Sequence, residues 1–153
     1  MENKAENKAE NKAENMPSGF VKTDTSIKEF YPKTNNRFFV YMDGVPVELI
    51  HKVIRPIVSV VEGKYTYSNL VLIIWDPIVP SASQIFTDFQ RENKTTFDEI
   101  TLDILGPVGE VVEKWVYKNC QLQDIIYSDC DWADSQPVNI KVRLSFEECI
   151  HEF

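Results

Sequence analysis

The sequence predicts a mainly β domain with antiparallel strands and one helix. Residues 138–147 alternate strictly between apolar and polar side chains, which is typical of a strand with one face on a core. Turn-forming residues at Asp43-Gly44 and at 106–109 separate other extended stretches, as in β-hairpins. The stretch that follows Pro80 is the one with apolar residues at helical spacing.

The chain begins with a polar repeat. Residues 2–15 read ENKAENKAENKAEN, and in a helix this spacing places like charges four residues apart, where each pair repels. The repeat also lacks an apolar face, so we expect a flexible extension over residues 1–33. We expect the folded domain to comprise residues 34–153.

The first half of the domain reads as extended stretches. Residues 37–42 are aromatic and β-branched, and Asp43-Gly44 predicts a hairpin turn into a second strand over 45–53. Residues 57–61 predict a short strand that ends at a Glu-Gly pair. Residues 65–75 alternate at first and are then solidly apolar, which is typical of a strand buried at the centre of a sheet.

The helix is expected near residues 82–92. Ser81 and Gln84 match the capping-box pattern at its beginning. The apolar residues that follow at helical spacing are Ile85, Phe86 and Phe89. We interpret this stripe as the face that covers a sheet, and a partner-binding face is the alternative.

A second hairpin is expected after the helix. Residues 100–104 alternate, residues 106–109 turn the chain, and residues 110–119 return. Residues 120–127 are a less regular extended segment. In the closing strand, the side chains expected to share the core face are Val138, Ile140, Val142, Leu144 and Phe146.

Composition excludes several classes of function. The chain has 153 residues and a net charge of −8, without a Lys/Arg cluster, so tight binding of nucleic acid is not expected. No apolar run approaches the roughly 18–20 residues of a membrane span, and the N-terminus lacks an apolar signal region. We therefore expect no membrane partner.

The chain's end carries residue types that also build metal and catalytic centres. Cys130, Cys149 and His151 stand among several acids, and Cys149 and His151 would share one face of a strand. However, the last five residues are expected to fray, and the spacings among Cys120, Cys130 and Cys149 match no zinc pattern. No nucleophile elbow or glycine-rich phosphate loop is present. We interpret the stretch as structural, with reduced thiols, no cofactor and no catalysis; a disulfide between assembled subunits remains the alternative.

The order of these elements resembles the tail tube proteins of contractile-tailed phages. The matching pieces are NNRFFVYMDGVPVEL, YSNLVLIIWD, SASQIFTDFQ, the hairpin around GPVG with KWVYKNC, and VNIKVRLSFEE. The most telling are Asn36-Arg37-Phe38-x-Val40, Trp115 and the alternating last strand. The family extends to tube proteins of contractile injection systems and to the haemolysin-coregulated tube protein of type VI secretion. The resemblance covers residues 34–149.

The resemblance implies a β-sandwich or split barrel with one helix that assembles into hexameric rings. The rings would stack into a tube, with further contacts to tail sheath and baseplate proteins. The implied location is the virion tail, with assembly in the host cytoplasm. DNA would pass through the lumen without tight binding, for which an acidic balance is suited. The residues expected to form the core and support assembly are Phe38, Val40, Leu72, Ile74, Phe86, Phe89, Trp115, Val142 and Leu144.

One departure from the family concerns ring stacking. Family members carry a longer stretch between the second and third strands that contacts the adjacent ring, and residues 54–67 leave little room for it. Either the N-terminal extension stacks the rings, or the chain is a specialised relative, an initiator or terminator ring at the baseplate or tail end. A different class remains open: a small β-sandwich binding module with Tyr127 and Trp132 as an exposed aromatic platform.

Overall fold

The structure, a computed structural model, describes residues 30–153. The predicted flexibility of the ENKA repeat and most of the predicted linker lie outside these residues. The described chain divides into a larger unit, Phe38–Ile104 with Val111–Phe153, and a smaller one that includes residues 30–37 and Leu105–Glu110. In the smaller unit the Leu105 N–H donates to the Arg37 carbonyl at 2.9 Å, and a turn over 106–110 is closed by a bond of 2.7 Å.

Nine strands and one α-helix confirm a mainly β fold with antiparallel pairing and one helix in the described residues. In chain order the elements are β1 (Phe38–Met42), β2 (Ile50–Ile54), β3 (Val58–Val61), β4 (Lys64–Tyr67), β5 (Leu70–Trp75), α1 (Ala82–Arg91), β6 (Thr96–Leu105), β7 (Val111–Tyr127), β8 (Asn139–Ser145) and β9 (Glu148–His151). A 3-10 turn at Val47–Leu49 lies between β1 and β2.

The prediction that β1 and β2 form a hairpin is wrong. The main sheet has the order β1-β6-β7-β8-β5-β2, so the two strands lie at its opposite edges. The Val45 N–H does donate to the Met42 carbonyl at 3.0 Å, which closes the predicted turn. Pro46 has no N–H for strand pairing, and the 3-10 turn that follows redirects the chain towards β5. A local turn signal therefore did not identify the strand's partner.

The prediction of one strand over residues 65–75 is also wrong. The chain breaks at Ser68-Asn69, so that β4 pairs with β3 in a separate two-stranded sheet while β5 joins the main sheet. In β5 the side chains of Leu70, Leu72 and Ile74 are buried and the residues between them are half-buried. The apolar run thus belongs to a strand with one buried and one half-buried face. Only β2 lies between this strand and the edge of the sheet.

The long strand β7 pairs with different strands along its two halves. Its second half pairs with β8, from Gln121 to Tyr127, and its first half pairs with β9, from Trp115 to Lys118. The alternation predicted for β8 is confirmed within Asn139–Ser145, where every second residue is buried, but Val138, which was expected on the core face, precedes the strand and is 49% exposed. The predicted fraying of the last residues is wrong, since hydrogen bonding to β7 continues to Phe153, whose carbonyl accepts from the Lys114 N–H at 3.0 Å.

The core lies on one side of this sheet and is closed by the helix. Side chains of β1, β5, β6 and β8 join one apolar cluster with Phe86 and Phe89 of α1. The Phe89 ring packs against Phe86 and Phe97 at centroid distances of 5.4 and 5.7 Å. It also lies so close to Gly44, which has a φ of +83°, that a Cβ there would stand 3.0 Å from the ring. The stripe is therefore a core face.

The beginning of the helix is defined by its cap. Ser81 is the N-cap, and its Oγ accepts from the Gln84 N–H at 3.3 Å, as the capping-box pattern predicts. Asp76 accepts from both the N–H and the hydroxyl of Ser83. Partial burial raises the pKa of Asp76, but the hydrogen bonds from Ser83, Ala82 and Ser81 outweigh it and hold the pKa below its usual value.

The described residues contain no helix with the length and apolar character needed to cross a bilayer.

Replacing Asp76 with Ala is expected to destabilise the domain by about 1–3 kcal/mol, because partly buried donors of the first helical turn lose a charged acceptor. Urea denaturation at neutral pH measures the change in the free energy of unfolding. The exposed Asp98 provides the control, since Asp98→Ala should change this free energy by less than about 0.5 kcal/mol. Equal effects of the two substitutions would contradict the capping role.

Candidate assembly surfaces

The hairpin of β3 and β4 has one apolar and one polar face. Cross-strand pairing aligns two valines of β3 with two tyrosines of β4, and alternation places these four side chains on the same side. Ser59 pairs with Thr66, and Val61 pairs with Lys64, on the opposite side. The apolar hairpin face consists of Val58, Val60, Tyr65 and Tyr67.

The rest of the described chain leaves this face largely uncovered. Val60 and Tyr65 are 66% and 74% exposed, and the remaining residues of both strands are exposed as well. At the base, the Tyr67 ring lies 5.8 Å from the ring of Phe146. An isolated two-stranded hairpin is marginally stable in water, and a contiguous exposed apolar surface marks an interaction site. The apolar hairpin face is therefore a candidate surface for a partner.

The hairpin is anchored at its base. The Ile57 N–H donates to Ser68 Oγ at 2.7 Å, and the Ser68 N–H donates to the Ile57 carbonyl at 3.0 Å. Arg55, just before the hairpin, places its guanidinium 4.9 Å from the centre of the Trp115 ring. Such a cation–π contact is worth about 0.5–2 kcal/mol. These contacts fix the direction in which the hairpin leaves the domain.

A second exposed surface lies at the other end of β5. Trp75, the last residue of β5, pairs with Asn139, the first of β8, and the Asp76 N–H donates to the Val138 carbonyl at 3.1 Å. Residues 128–138, the Trp132 loop, lead into β8 at this end. The hairpin instead directly precedes the first residue of β5. The two surfaces thus lie at opposite ends of the same pair of strands.

The Trp132 loop is organised by its own aspartates. The Asp131 carboxylate accepts from the Ala133 N–H at 2.9 Å, and the Asp134 carboxylate accepts from the Gln136 N–H at 2.9 Å. These bonds are Asx turns, which order a loop without a core beneath it. The Trp132 side chain is fully exposed at the top of this loop. An apolar side chain is therefore presented to solvent from an ordered loop.

The surroundings of Trp132 combine apolar and acidic groups. Ile78 and Val79 follow β5 at the same end of the sheet and are 95% and 84% exposed. Three acids of the loop make no ion pair with any described residue: Asp129, Asp131 and Asp134. Of the predicted aromatic platform, Trp132 is fully exposed, whereas Tyr127 is 42% exposed and its hydroxyl accepts from Gln90 Nε2 at 3.3 Å.

Both edges of the main sheet are open among the described residues. β1 pairs only with β6, and β2 pairs only with β5, so each presents one unpaired edge. On β1 the half-exposed rings of Phe39 and Tyr41 lie 6.5 Å apart. Open edges invite pairing with another chain. They are a further candidate for contacts between copies.

The Cys and His residues of the C-terminal stretch do not converge on a site. Cys130 belongs to the exposed Trp132 loop, whereas Cys149 and His151 belong to β9, where the His151 ring stacks on Trp115 at 4.5 Å. Within residues 30–153 no group of three or more His, Cys, Asp or Glu is arranged to hold a metal ion. Burial raises the pKa of the Cys149 thiol, which is the opposite of what nucleophilic activation needs.

Two other buried groups have shifted pKa values with structural causes. Burial raises the pKa of Asp103, which is 5% exposed in β6, and Lys114 partly compensates from 4.0 Å. Burial also raises the pKa of Cys120 to about 11. Both residues lie within strands, Asp103 in β6 and Cys120 in β7. We therefore assign both to the packing of the fold.

Stability is expected to fall between pH 7 and 5 because of His51. Burial, together with the charge of Lys52, lowers the pKa of His51, whose ring stacks on Trp75 at 4.6 Å. The unfolded chain binds the proton at about pH 6.5, whereas the folded chain binds it only at lower pH. Stability is thus fully present above pH 6.5 and decreases as the pH falls towards the folded pKa.

The His51→Phe variant retains a ring for stacking and removes this titration. Its free energy of unfolding, measured in urea at pH 7, 6 and 5, should change less over this range than that of the wild type. The exposed His151 serves as the control, through His151→Phe. Parallel pH profiles for the wild type and His51→Phe would show that His51 does not titrate differently on folding.

The structure places most of the predicted core residues inside the domain. Seven are buried, while Phe38 and Trp115 are partly buried against the same cluster. Their contribution to assembly stays a prediction. The residues that sequence reasoning missed are those of the apolar hairpin face. Their signal was the alternation of valines and tyrosines on both sides of Glu62-Gly63, which is the pattern of a short hairpin.

Comparisons with known proteins agree with this architecture. No protein family profile and no curated protein matches the sequence. Among solved structures, a chain of the sheath–tube complex of an extracellular contractile injection system (PVC) has a TM-score of 0.63 at 15% identity, covering 86% of this chain and 99% of that one. A chain of the PVC sheath/tube terminator gives 0.61 at 15% identity, covering 82% and 99%.

A crystal structure of an Hcp protein gives a TM-score of 0.50 at 11% identity, and the match covers 67% of this chain and 68% of that one. The resemblance to the tail tube family that the order of sequence elements indicates is thereby confirmed at the level of the fold. The chain has the tube-type β fold found in contractile injection systems and in Hcp.

Proposed function

We propose that this protein is a structural subunit of the tube of a contractile tail or injection system, in which six-membered rings stack around a hollow lumen. The observation that carries this proposal is the apolar hairpin face, which is anchored at its base and uncovered elsewhere. A contiguous exposed apolar surface of this kind is stabilised when another chain covers it. Open edges on β1 and β2 add positions at which neighbouring copies can pair.

The hairpin bears on the proposed stacking of the rings. Residues 54–67 leave little room for the stretch with which tube proteins contact the adjacent ring, yet residues 58–67 form a complete two-stranded hairpin. Because only two residues make its turn, the stretch reaches outwards with few residues. The hairpin therefore supports a role in stacking without the N-terminal extension, and we propose residues 1–33 as an extension separate from the tube-type domain of residues 34–153.

The partners follow from the same role. We propose contacts with further copies, with sheath subunits and with the baseplate, and the likeness to a chain of a sheath–tube complex supports this set. The net charge of −8 favours a passage through which DNA, in a phage, slides without tight binding. Function then needs neither cofactor nor catalysis. The proposed location is the tail of a virion or injection particle, assembled in the host cytoplasm.

A second candidate is the ring that begins or ends the tube. The likeness to a chain of a sheath/tube terminator, with a TM-score of 0.61, favours it almost as strongly as the likeness to the sheath–tube complex favours the first. A terminator would use one end of the ring only. The two candidates therefore differ in the size of the assembly that they form.

Negative-stain electron microscopy of the concentrated protein over a range of salt tests both candidates. A tube subunit is expected to form hollow tubes of varying length, and a terminator to form single rings. Native mass spectrometry of the same sample gives the number of copies in a ring, for which six is expected. A uniform population of monomers or dimers at all concentrations would contradict both candidates and favour the binding module.

A further inference from the structure

The strand β5 is apolar on both faces, and only one of them belongs to the core. Three of its side chains are buried in the core, whereas Val71 and Ile73 on the other face are half-buried and Trp75 is 47% exposed. A strand that is apolar on both faces is typical of one that is covered on both. Helix α1 packs on the core face, so among the described residues the second face stays open to solvent. We call this second face of β5, with its neighbours on β2, β7 and β8, the outer face.

Strand register surrounds the apolar side chains of the outer face with cations. Ile73 lies between Lys52 of β2 and Lys141 of β8, and Arg143 of β8 lies opposite Val71. Residues directly opposite each other in an antiparallel sheet share a face, so these three basic side chains stand on the outer face. They come from strands far apart in the sequence, which is why the chain itself shows no Lys/Arg cluster.

The outer face carries more positive than negative charge. Asp124 is the one acid that the register of the four described strands places there, and its Oδ2 accepts from Arg143 Nη1 at 2.7 Å. Lys52 and Lys141 make no ion pair with any described residue. Ile126, opposite Lys141, is 43% exposed and enlarges the apolar area. In a chain with a net charge of −8, this face is therefore locally positive and apolar at once.

We propose that the outer face binds an acidic polypeptide segment of a protein other than this chain, in which carboxylates stand beside aliphatic side chains. In this contact the carboxylates pair with Lys52 and Lys141, and the aliphatic side chains cover Ile73. Exposed apolar area marks an interaction site, and complementary charge selects the partner. The inference goes beyond the proposed tube, which copies of this chain build by themselves.

Two other occupants fit the outer face less well. A second copy that presented the same face would oppose lysine to lysine, which disfavours an isologous contact. Nucleic acid would find two unpaired cations for its phosphates, and interfaces with nucleic acid are more polar and more positive than a face with aliphatic side chains between its lysines.

Fluorescence anisotropy of a fluorescein-labelled synthetic peptide that repeats Glu-Glu-Leu-Leu tests the contact with the full chain. We expect saturable binding that weakens at least about tenfold in the double variant Lys52→Glu, Lys141→Glu, because two attractive charge pairs become repulsive. The circular dichroism spectrum checks that this variant is folded. Peptides with Gln in place of Glu, or with Ser in place of Leu, should also bind more weakly, since the contact needs both kinds of side chain.

The matched control is Lys64→Glu, which reverses the charge of an exposed hairpin lysine that also makes no ion pair with a described residue. It should bind the peptide like the wild type. Absence of saturable binding, or equal binding by the wild type and the double variant, would overturn the inference. Tighter binding of single-stranded or duplex DNA than of the peptide would overturn it in favour of nucleic acid.

Lysine acetylation followed by mass spectrometry tests whether copies of the chain cover the outer face instead. Lys52 and Lys141 should react equally in unassembled and in assembled protein, because their partner is a different protein. Protection of both lysines in rings or tubes of the purified protein would show that copies cover the face and would overturn the inference. None of these results removes the proposed function, which fails only if the wild type forms neither rings nor tubes.

Discussion

The double variant Val60→Asp, Tyr65→Asp is expected to remain folded and to lose assembly entirely. Both side chains lie on the apolar hairpin face and are largely exposed in the single chain, so the substitutions cost the monomer little. In an assembly, each copy would instead bury two carboxylates against an apolar partner, at a cost of several kcal/mol per contact. Sedimentation velocity should show the variant as a small particle under conditions in which the wild type sediments as a large one.

The opposite face of the same hairpin provides the matched control. Ser59→Asp with Thr66→Asp adds the same two charges to the same two strands, on the polar side. This control should assemble like the wild type, because its carboxylates point away from the proposed contact. If both double variants assemble, or if both fail, the apolar side of the hairpin does not have the specific role assigned to it.

Phe89→Ala is expected to destabilise the domain by about 3–5 kcal/mol. The ring is 7% exposed and contacts two other rings, those of Phe86 and Phe97, as well as Gly44 in the turn after β1. Its removal leaves a cavity where helix, turn and sheet meet. Chemical denaturation followed by circular dichroism measures the loss in the free energy of unfolding. The substitution should also lower the melting temperature.

The exposed Phe30 offers the control for a lost aromatic ring. Phe30→Ala should change the free energy of unfolding by less than about 0.5 kcal/mol, because that side chain is 89% exposed. A Phe89→Ala variant as stable as Phe30→Ala would mean that α1 is not held by this ring. The core as described would then be wrong at the point where the helix meets the sheet.

Elements specified by neighbouring residues were predictable from the sequence. The helix was expected near residues 82–92 and is found at Ala82–Arg91, since its cap is a local hydrogen bond between Ser81 and Gln84. The strand β8 was predictable because alternation of side chains records burial directly. In both cases the information lies within about ten residues, so no distant partner had to be known.

Elements specified by distant partners were not predictable. The turn at Asp43-Gly44 forms, yet β1 pairs with β6, so that Val40 at the centre of β1 lies opposite Leu102, 62 positions further along the chain. Likewise β9 is stabilised by β7, which the composition of the last residues does not reveal. Strand pairing depends on the whole chain, whereas turn propensity depends on four residues.

The candidate surfaces were only partly visible in the sequence. Tyr127 and Trp132 were noted as exposed aromatics, but the register that aligns valines with tyrosines on one hairpin face emerges only from the pairing of β3 with β4. That the hairpin and the Trp132 loop lie at opposite ends of β5 depends on the pairing of β5 with β8. Exposure and direction are properties of the folded chain, and periodicity alone does not contain them.

The central position of β8 has a consequence for biosynthesis. Among the described strands β8 alone joins the β7 side of the sheet to the β5 side, although it is the last but one to leave the ribosome. Until residues 139–145 have been translated and released from the exit tunnel, the nascent chain holds two unconnected parts of a sheet. The domain is therefore expected to complete its sheet only after residues 139–145 have left the exit tunnel, and a nascent chain that lacks them would not be competent for assembly.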